Sequence, residues 1–198
     1  MPLQKQTVFF MYLANNPTKV FCLEAVKEIS DNQDSAVFPM LEQLVRNHSL
    51  VNVYKAVDTI DDFEAALNTL LYEDRNFKDY NLVYFVCQGE QNEIRINEYT
   101  YTLEEIAELF EGKLKGKILH FANTKVLNLD EDNAQYFLDV TGAKAISGYQ
   151  NHSFMNSFVL DHHFLALHLQ TNNPSELVET LFDKHYGLCS ALGFHLYY

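Results

Sequence analysis

The sequence predicts an α/β protein, a single three-layer domain on a mostly parallel six-stranded sheet. Three observations carry this. Short runs rich in β-branched and aromatic residues alternate with longer amphipathic runs along the chain. The stretches between strand candidates are long enough for helical crossovers, which favour parallel pairing and a sheet covered on both faces. The length, 198 residues, supports one sizeable core and not two, so residues 1–198 are read as one domain.

In chain order, Thr7–Leu13 is short and uniformly apolar, and reads equally as an edge strand or a packed arm within an N-terminal extension of residues 1–19. Val20–Leu23 is the first strand. Asp34 and Ser35 supply oxygen acceptors for a helix start, after which Val37, Phe38, Leu41, Leu44 and Val45 share one face. Leu50–Ala56 is the second strand. Thr59, with Asp62 three residues on, opens a helix that buries Phe63, Ala66, Leu67, Leu70 and Leu71. Leu82–Cys87 is the third strand, and the alternation of Ile94, Ile96, Tyr99 and Tyr101 about Asn97-Glu98 makes Asn92–Thr102 a small hairpin inserted after it.

Thr102 and Glu105 then form a capping box for a helix with Ile106, Leu109 and Phe110 inward, which stops near Gly112 and Gly116. Lys117–Ala122 is the fourth strand. A helix from about Asp130 to Thr141 buries Phe137 and Leu138 and ends at Gly142, before a fifth strand at Ala143–Gly148. Phe154 to Leu169 is apolar nearly all round and should pack on two sides. Asn173-Pro174-Ser175-Glu176 starts the last helix, with Pro at its first position, and Gly193–Tyr198 is a weaker terminal strand. The expected sheet order is 2-1-3-4-5-6, with the last strand free to run antiparallel.

Composition narrows the function classes. Lys and Arg number 14 against 27 Asp and Glu, a net charge of −13, so nucleic acid and anionic membrane surfaces are repelled rather than recruited. Three widely spaced cysteines, Cys22, Cys87 and Cys189, suit reduced thiols in a cytoplasmic protein better than a disulfide framework. No apolar run approaches bilayer-spanning length, and no export signal is read at the start.

Ligands of open parallel sheets bind beyond the carboxyl ends of the strands. The residues there are Glu24, then Cys87-Gln88-Gly89-Glu90, Asn123-Thr124-Lys125 and Tyr149-Gln150-Asn151-His152. Neither a glycine-rich phosphate loop nor a Gly-x-Ser-x-Gly elbow is present. The segment LVYFVCQG (Leu82–Gly89), the hairpin, TLEEIAELFEG, KGKILHFANT and TGAKAISGY, taken together, resemble the caspase-like fold of caspases, CHAT proteases and other clan CD cysteine peptidases. More closely, they resemble a group of small, uncharacterised bacterial caspase-like proteins. The resemblance runs from about Val20 to the C-terminus.

What the resemblance implies is a catalytic His in the turn after the third strand and a Cys nucleophile after the fourth. Carried over, those positions fall on Gln88 and Thr124, with Ala122 and Asn123 preceding the latter. An amide has no titratable nitrogen, and a threonine hydroxyl without a neighbouring base is a weak nucleophile, so peptidase chemistry is expected to be absent. The expected function is that of an inactive caspase-like protein acting as a binding or regulatory module for a peptide or protein partner. Its remnant pocket would comprise Glu24, Gln88, Glu90, Asn123, Thr124 and Gln150, amide, hydroxyl and carboxylate groups that orient a ligand without attacking it.

Two other readings stand beside it. A rearranged cysteine hydrolase would use Cys87, Thr124 or His120, although Cys87 has the features of a core thiol and His120 lies inside the fourth strand. A homodimeric scaffold would pair the apolar terminal strand Phe194-His195-Leu196-Tyr197-Tyr198 with a second copy, as caspases do. His162, His163 and His168 lie on one helix without a three- or four-residue spacing between any two, so no metal site is assigned and no cofactor is expected.

Overall fold

The alternating runs build β1 (Thr18–Ala25), α1 (Phe38–Asn47), β2 (Leu50–Val57), α2 (Ile60–Asn68), β3 (Tyr80–Val86), β4 (Gln88–Glu90), β5 (Glu93–Ile96) and β6 (Tyr99–Thr102). These are followed by α3 (Leu103–Leu109), β7 (Ile118–Ala122), α4 (Glu131–Thr141), β8 (Ala145–Tyr149), α5 (Phe158–His168), α6 (Pro174–Leu192) and β9 (Phe194–Tyr197). The structure is a computed structural model that describes residues 18–27, 35, 37–48, 50–122, 127–151 and 157–198. Six strands form one sheet in the order β2-β1-β3-β7-β8-β9, parallel except for β9, which runs antiparallel to β8. Numbered by its own strands, that is the expected 2-1-3-4-5-6.

The insertion after the third strand contains the expected hairpin, β5-β6, and extends it by one strand. It is a three-stranded antiparallel meander, β4-β5-β6, because Gln88–Glu90 pairs with β5 instead of forming a loop. Gln91 and Asn92 both adopt left-handed φ, 55° and 66°, which folds β4 back within two residues. Asn tolerates that conformation and Gln does not advertise it, so composition hid the turn. Thr18 and Lys19, read as part of an extension, belong to β1. The helix expected to reach Leu71 ends at Asn68 and widens into a π-helical turn, Thr69–Glu73. Of the long apolar helix, the described part is Phe158–His168. The Thr7–Leu13 run, Asp34, and the Asn123 and Thr124 positions lie outside the described residues.

The helix starts are held as the sequence anticipates. Ser35 Oγ accepts from the amides of Val37 and Phe38, at 3.2 and 2.9 Å. Thr59 Oγ1 accepts from the Asp62 amide, and Thr102 and Glu105 complete a reciprocal capping box. Asp130 and Asn173 cap α4 and α6, and Gly193 takes a left-handed φ of 61° to turn α6 into β9. A buried ammonium fastens the opposite end of the sheet. Lys117 Nζ donates to the carbonyls of Phe77 and Tyr80, both at 2.8 Å, and burial lowers its pKa.

The sheet separates two cores, since successive strand residues point to opposite faces. On one face Phe21, Leu23, Val83, Phe85, Leu119 and Phe121 pack against α2, α3, α4 and the meander's Ile94 and Ile96. Phe85 centres this layer, with the rings of Phe63, Phe110 and Phe121 at 6.0, 5.9 and 5.7 Å. On the other face Val20, Cys22, Leu82, Tyr84, Val86 and Ile118 pack against α1, α5 and α6. The three cysteines are buried and unpaired.

Candidate functional site

Register brings three strand ends level: Glu24 lies beside Val86, and Val86 beside Ala122. One residue beyond β3, the Cys87 amide donates to the Ala122 carbonyl at 3.4 Å. Its side chain continues the alternation of Val83 and Phe85 into the apolar layer. Burial pushes the Cys87 thiol up to about 12. His120 belongs to the opposite face. The sheet therefore lies between this thiol and this imidazole.

His120 sits in a row of three neighbours across three strands, Tyr84 on β3, His120 on β7 and Ser147 on β8. All three are fully buried, and Asp161 of α5, also fully buried, is set above them. Asp161 Oδ2 accepts from the Tyr84 hydroxyl at 2.9 Å and the Ser157 hydroxyl at 2.7 Å, while Oδ1 accepts from the Tyr149 hydroxyl. His120 Nε2 lies 2.9 Å from Oδ1, and His120 Nδ1 lies 2.8 Å from Ser147 Oγ.

Because the carboxylate accepts, Nε2 carries a proton, and Nδ1 shares a hydrogen bond with the Ser147 hydroxyl. Burial raises the Tyr84 and Tyr149 hydroxyls well above the usual phenol range, with the Asp161 charge adding to it. Phe164 stacks on the imidazole at 4.5 Å, and Leu160 and Leu165 complete the apolar enclosure.

Hydroxyl, imidazole and carboxylate thus stand in the order of a nucleophile relay, but the hydroxyl meets only protein. The arrangement clamps α5 to the sheet and satisfies a buried charge.

Of the remnant-pocket residues the structure describes Glu24, Gln88, Glu90 and Gln150, each with its own partners or strand neighbours. Glu24 turns into the α1 side, where its Oε2 accepts from the Tyr54 hydroxyl at 2.6 Å and from Ser35 Oγ. Gln88 is exposed in the meander opposite Arg95, and Glu90 stands opposite Glu93. Gln150 donates its amide to the Gly193 carbonyl at 2.9 Å and engages the Tyr197 hydroxyl through its side chain.

The helix α5 histidines part company as well. His163 stacks on His185 of α6 at 3.8 Å, where α6 departs from helical dihedrals, and His162 lies 5.6 Å from His163. His168 is buried, neither ring nitrogen has a partner among the described residues, and burial lowers it to about 4. Among the described residues no three His, Cys, Asp or Glu side chains are grouped to hold a metal ion.

Sequence reasoning missed Asp161, Ser147 and His185 as partners. For Asp161 a signal exists: a lone acid in an otherwise apolar helix needs a buried donor, and His120 in the apolar strand ILHFA needs an acceptor.

The chain belongs to a family described as of unknown function (DUF6642), whose profile matches residues 17–198. It is similar to the crystal structure of caspase-1 from Spodoptera frugiperda, with a TM-score of 0.50 and 12% identity over 89% of this chain and 77% of that chain. This likeness establishes a caspase-like fold. No curated protein matches the sequence. Among the described residues no helix is long and apolar enough to cross a membrane.

Proposed function

We propose that this DUF6642 protein is a caspase-like domain without peptidase chemistry that works as a binding or regulatory module. The observation that carries the reading is the placement of Cys87 and His120 on opposite faces of one sheet. No side-chain rotation joins them, because the backbone of β3 and β7 lies between. Gln88, at the position that the caspase resemblance assigns to the catalytic His, offers an exposed amide with no titratable nitrogen. Thr124, at the nucleophile position, has a hydroxyl that needs a base to react. Three buried, unpaired thiols on an acidic chain support a reducing cytoplasm as its compartment.

Incubation with a diverse peptide library tests this reading, with retained peptides scored beside cleavage products. Retention without cleavage is expected. Cleavage that disappears in Cys87→Ala or Thr124→Ala overturns the reading in favour of a rearranged hydrolase. Thiol labelling adds a second arm. With burial raising its pKa and closing off access, Cys87 should resist iodoacetamide in the native protein and react after unfolding.

The hydrogen-bonded order Ser147, His120, Asp161 favours one alternative, a serine hydrolase that opens by displacing α5. Native protein treated with a fluorophosphonate should remain unlabelled; modification of Ser147 would establish the alternative. A further surface is supported by the position of β9 at one end of the sheet, where a second copy could add strands to form a homodimer. Light scattering over a concentration series reads this directly, and a monomer at every concentration removes it.

A further inference from the structure

We infer that the cleft between the meander and α4 is a recognition pocket for a basic side chain, arginine above all, presented by a partner peptide or protein. The inference rests on the binding-module reading and gives that module a site and a ligand class. The cleft has a volume of about 200 Å³. Its floor is apolar, made of Leu103, Leu129 and Phe137, all buried. Tyr136 forms one wall with 43% of its surface exposed and no aromatic partner among the described residues.

Glu93 and Glu104 stand at the rim, both exposed, and neither side chain makes an ion pair or hydrogen bond among the described residues. Arg95, two positions along the same strand face, makes no ion pair with Glu93. Among the described residues no Lys, Arg or His lines the cleft, and the first turn of α4 beyond it carries Glu131 and Asp132.

An anion is the wrong guest. Two of the first three amides of α3 are already taken: the Leu103 amide donates to the Asn92 carbonyl at 2.8 Å, and the Glu105 amide to Thr102 Oγ1 at 3.1 Å. The net charge of −13 draws cations toward the whole surface. A guanidinium matches the remaining groups, since its planar face stacks on a phenol ring while its edges donate to two carboxylates. Its three methylenes cover the apolar floor.

The walls are set before a guest arrives. Asn92, in its left-handed conformation, accepts from the Asn128 amide at 2.8 Å and donates to the Asn128 carbonyl at 3.0 Å. One residue therefore ties the meander turn, the α3 start and the segment entering α4, which lowers the ordering cost of binding.

The test uses capped Ala-Ala-Arg-Ala-Ala, with citrulline, Lys and Glu replacing Arg, titrated into ¹⁵N-labelled protein. The arginine peptide is expected to shift the amides of Glu93, Glu104 and Tyr136 saturably, with citrulline at least about tenfold weaker and the Glu peptide silent. The double variant Glu93→Gln, Glu104→Gln should lose about tenfold for arginine and nothing for citrulline. Tyr136→Leu should cost about threefold. All three positions are exposed, so unchanged melting of the variants certifies the fold.

Equal affinity for arginine and citrulline, indifference to the double variant, or no binding at about 10 mM peptide overturns the inference. Shifts confined to residues outside the cleft overturn it while leaving the binding-module reading in place. Cleavage of the peptide overturns the binding-module reading instead, whatever the cleft does.

Discussion

The two faces of the central sheet solve the same burial problem with opposite chemistry. The face toward α2, α3 and α4 is dry, a packing of Phe21, Phe63, Phe85, Phe110 and Phe121 in which even Cys87 behaves as a small apolar side chain. The face toward α5 and α6 holds a carboxylate, an imidazole, two phenols and two serine hydroxyls at 3% exposure or less. Apolar packing is non-directional and tolerates substitution. The network around Asp161 works only if each of its donors meets its acceptor, so it selects one position of α5 on the sheet and exacts a large loss when broken.

The sharpest way to break this contrast is Asp161→Ala. Tyr84, Tyr149, Ser157 and His120 Nε2 would all lose the carboxylate they share in a closed interior. A loss of about 4 kcal/mol in urea unfolding is expected. A loss under about 1 kcal/mol would mean that the network is ornamental.

Acid should loosen the polar side selectively. The folded His168 imidazole titrates at about 4, below its ordinary value of 6.5, so between these pH values the unfolded chain binds the proton more tightly. Its contribution is complete above about pH 6.5 and is lost as pH falls toward 4, roughly 3 kcal/mol in all. His162 and His163 shift in the same direction and add to the sign. Stability measured from pH 7.5 to 4 should show this slope, and His168→Leu should flatten it; an unchanged slope in the variant assigns the acid sensitivity elsewhere.

Smaller effects sharpen the comparison. Ser147→Ala strips the hydroxyl from His120 Nδ1 and leaves a buried ring nitrogen unpaired, at about 2 kcal/mol. On the dry face Phe121→Leu keeps apolar contact and should cost about 1 kcal/mol, with an unchanged denaturant slope. If the leucine variant proves the more damaging of the two, the proposed asymmetry between the faces would be refuted.

How much was legible follows from how far each determinant reaches along the chain. Capping by Thr59, Thr102 and Asp130 spans three residues, and the Gly142 stop spans one, so these were readable from local pattern. The near-continuous apolar runs Leu82–Val86 and Ile118–Ala122 mark both as strands buried on two faces. The alternation of strands and helices ordered the sheet, because right-handed crossovers leave few topologies. The third strand of the meander, β4, is not legible locally, since nothing in a Gln-Asn pair demands left-handed dihedrals.

By itself the sequence determined the α/β class, the strand order, most helix starts and the absence of a glycine-rich phosphate loop. All of these rest on backbone periodicity or on side chains within one turn of one another. Only the tertiary structure decided which face each titratable group would occupy and whom it would meet. His120 finds Asp161 41 residues away and Ser147 27 residues away, His163 finds His185, and Asn92 finds Asn128. Hydrogen bonds need partners placed within a few tenths of an ångström, and the relative register of strands and helices that supplies that precision is set by packing across the whole domain.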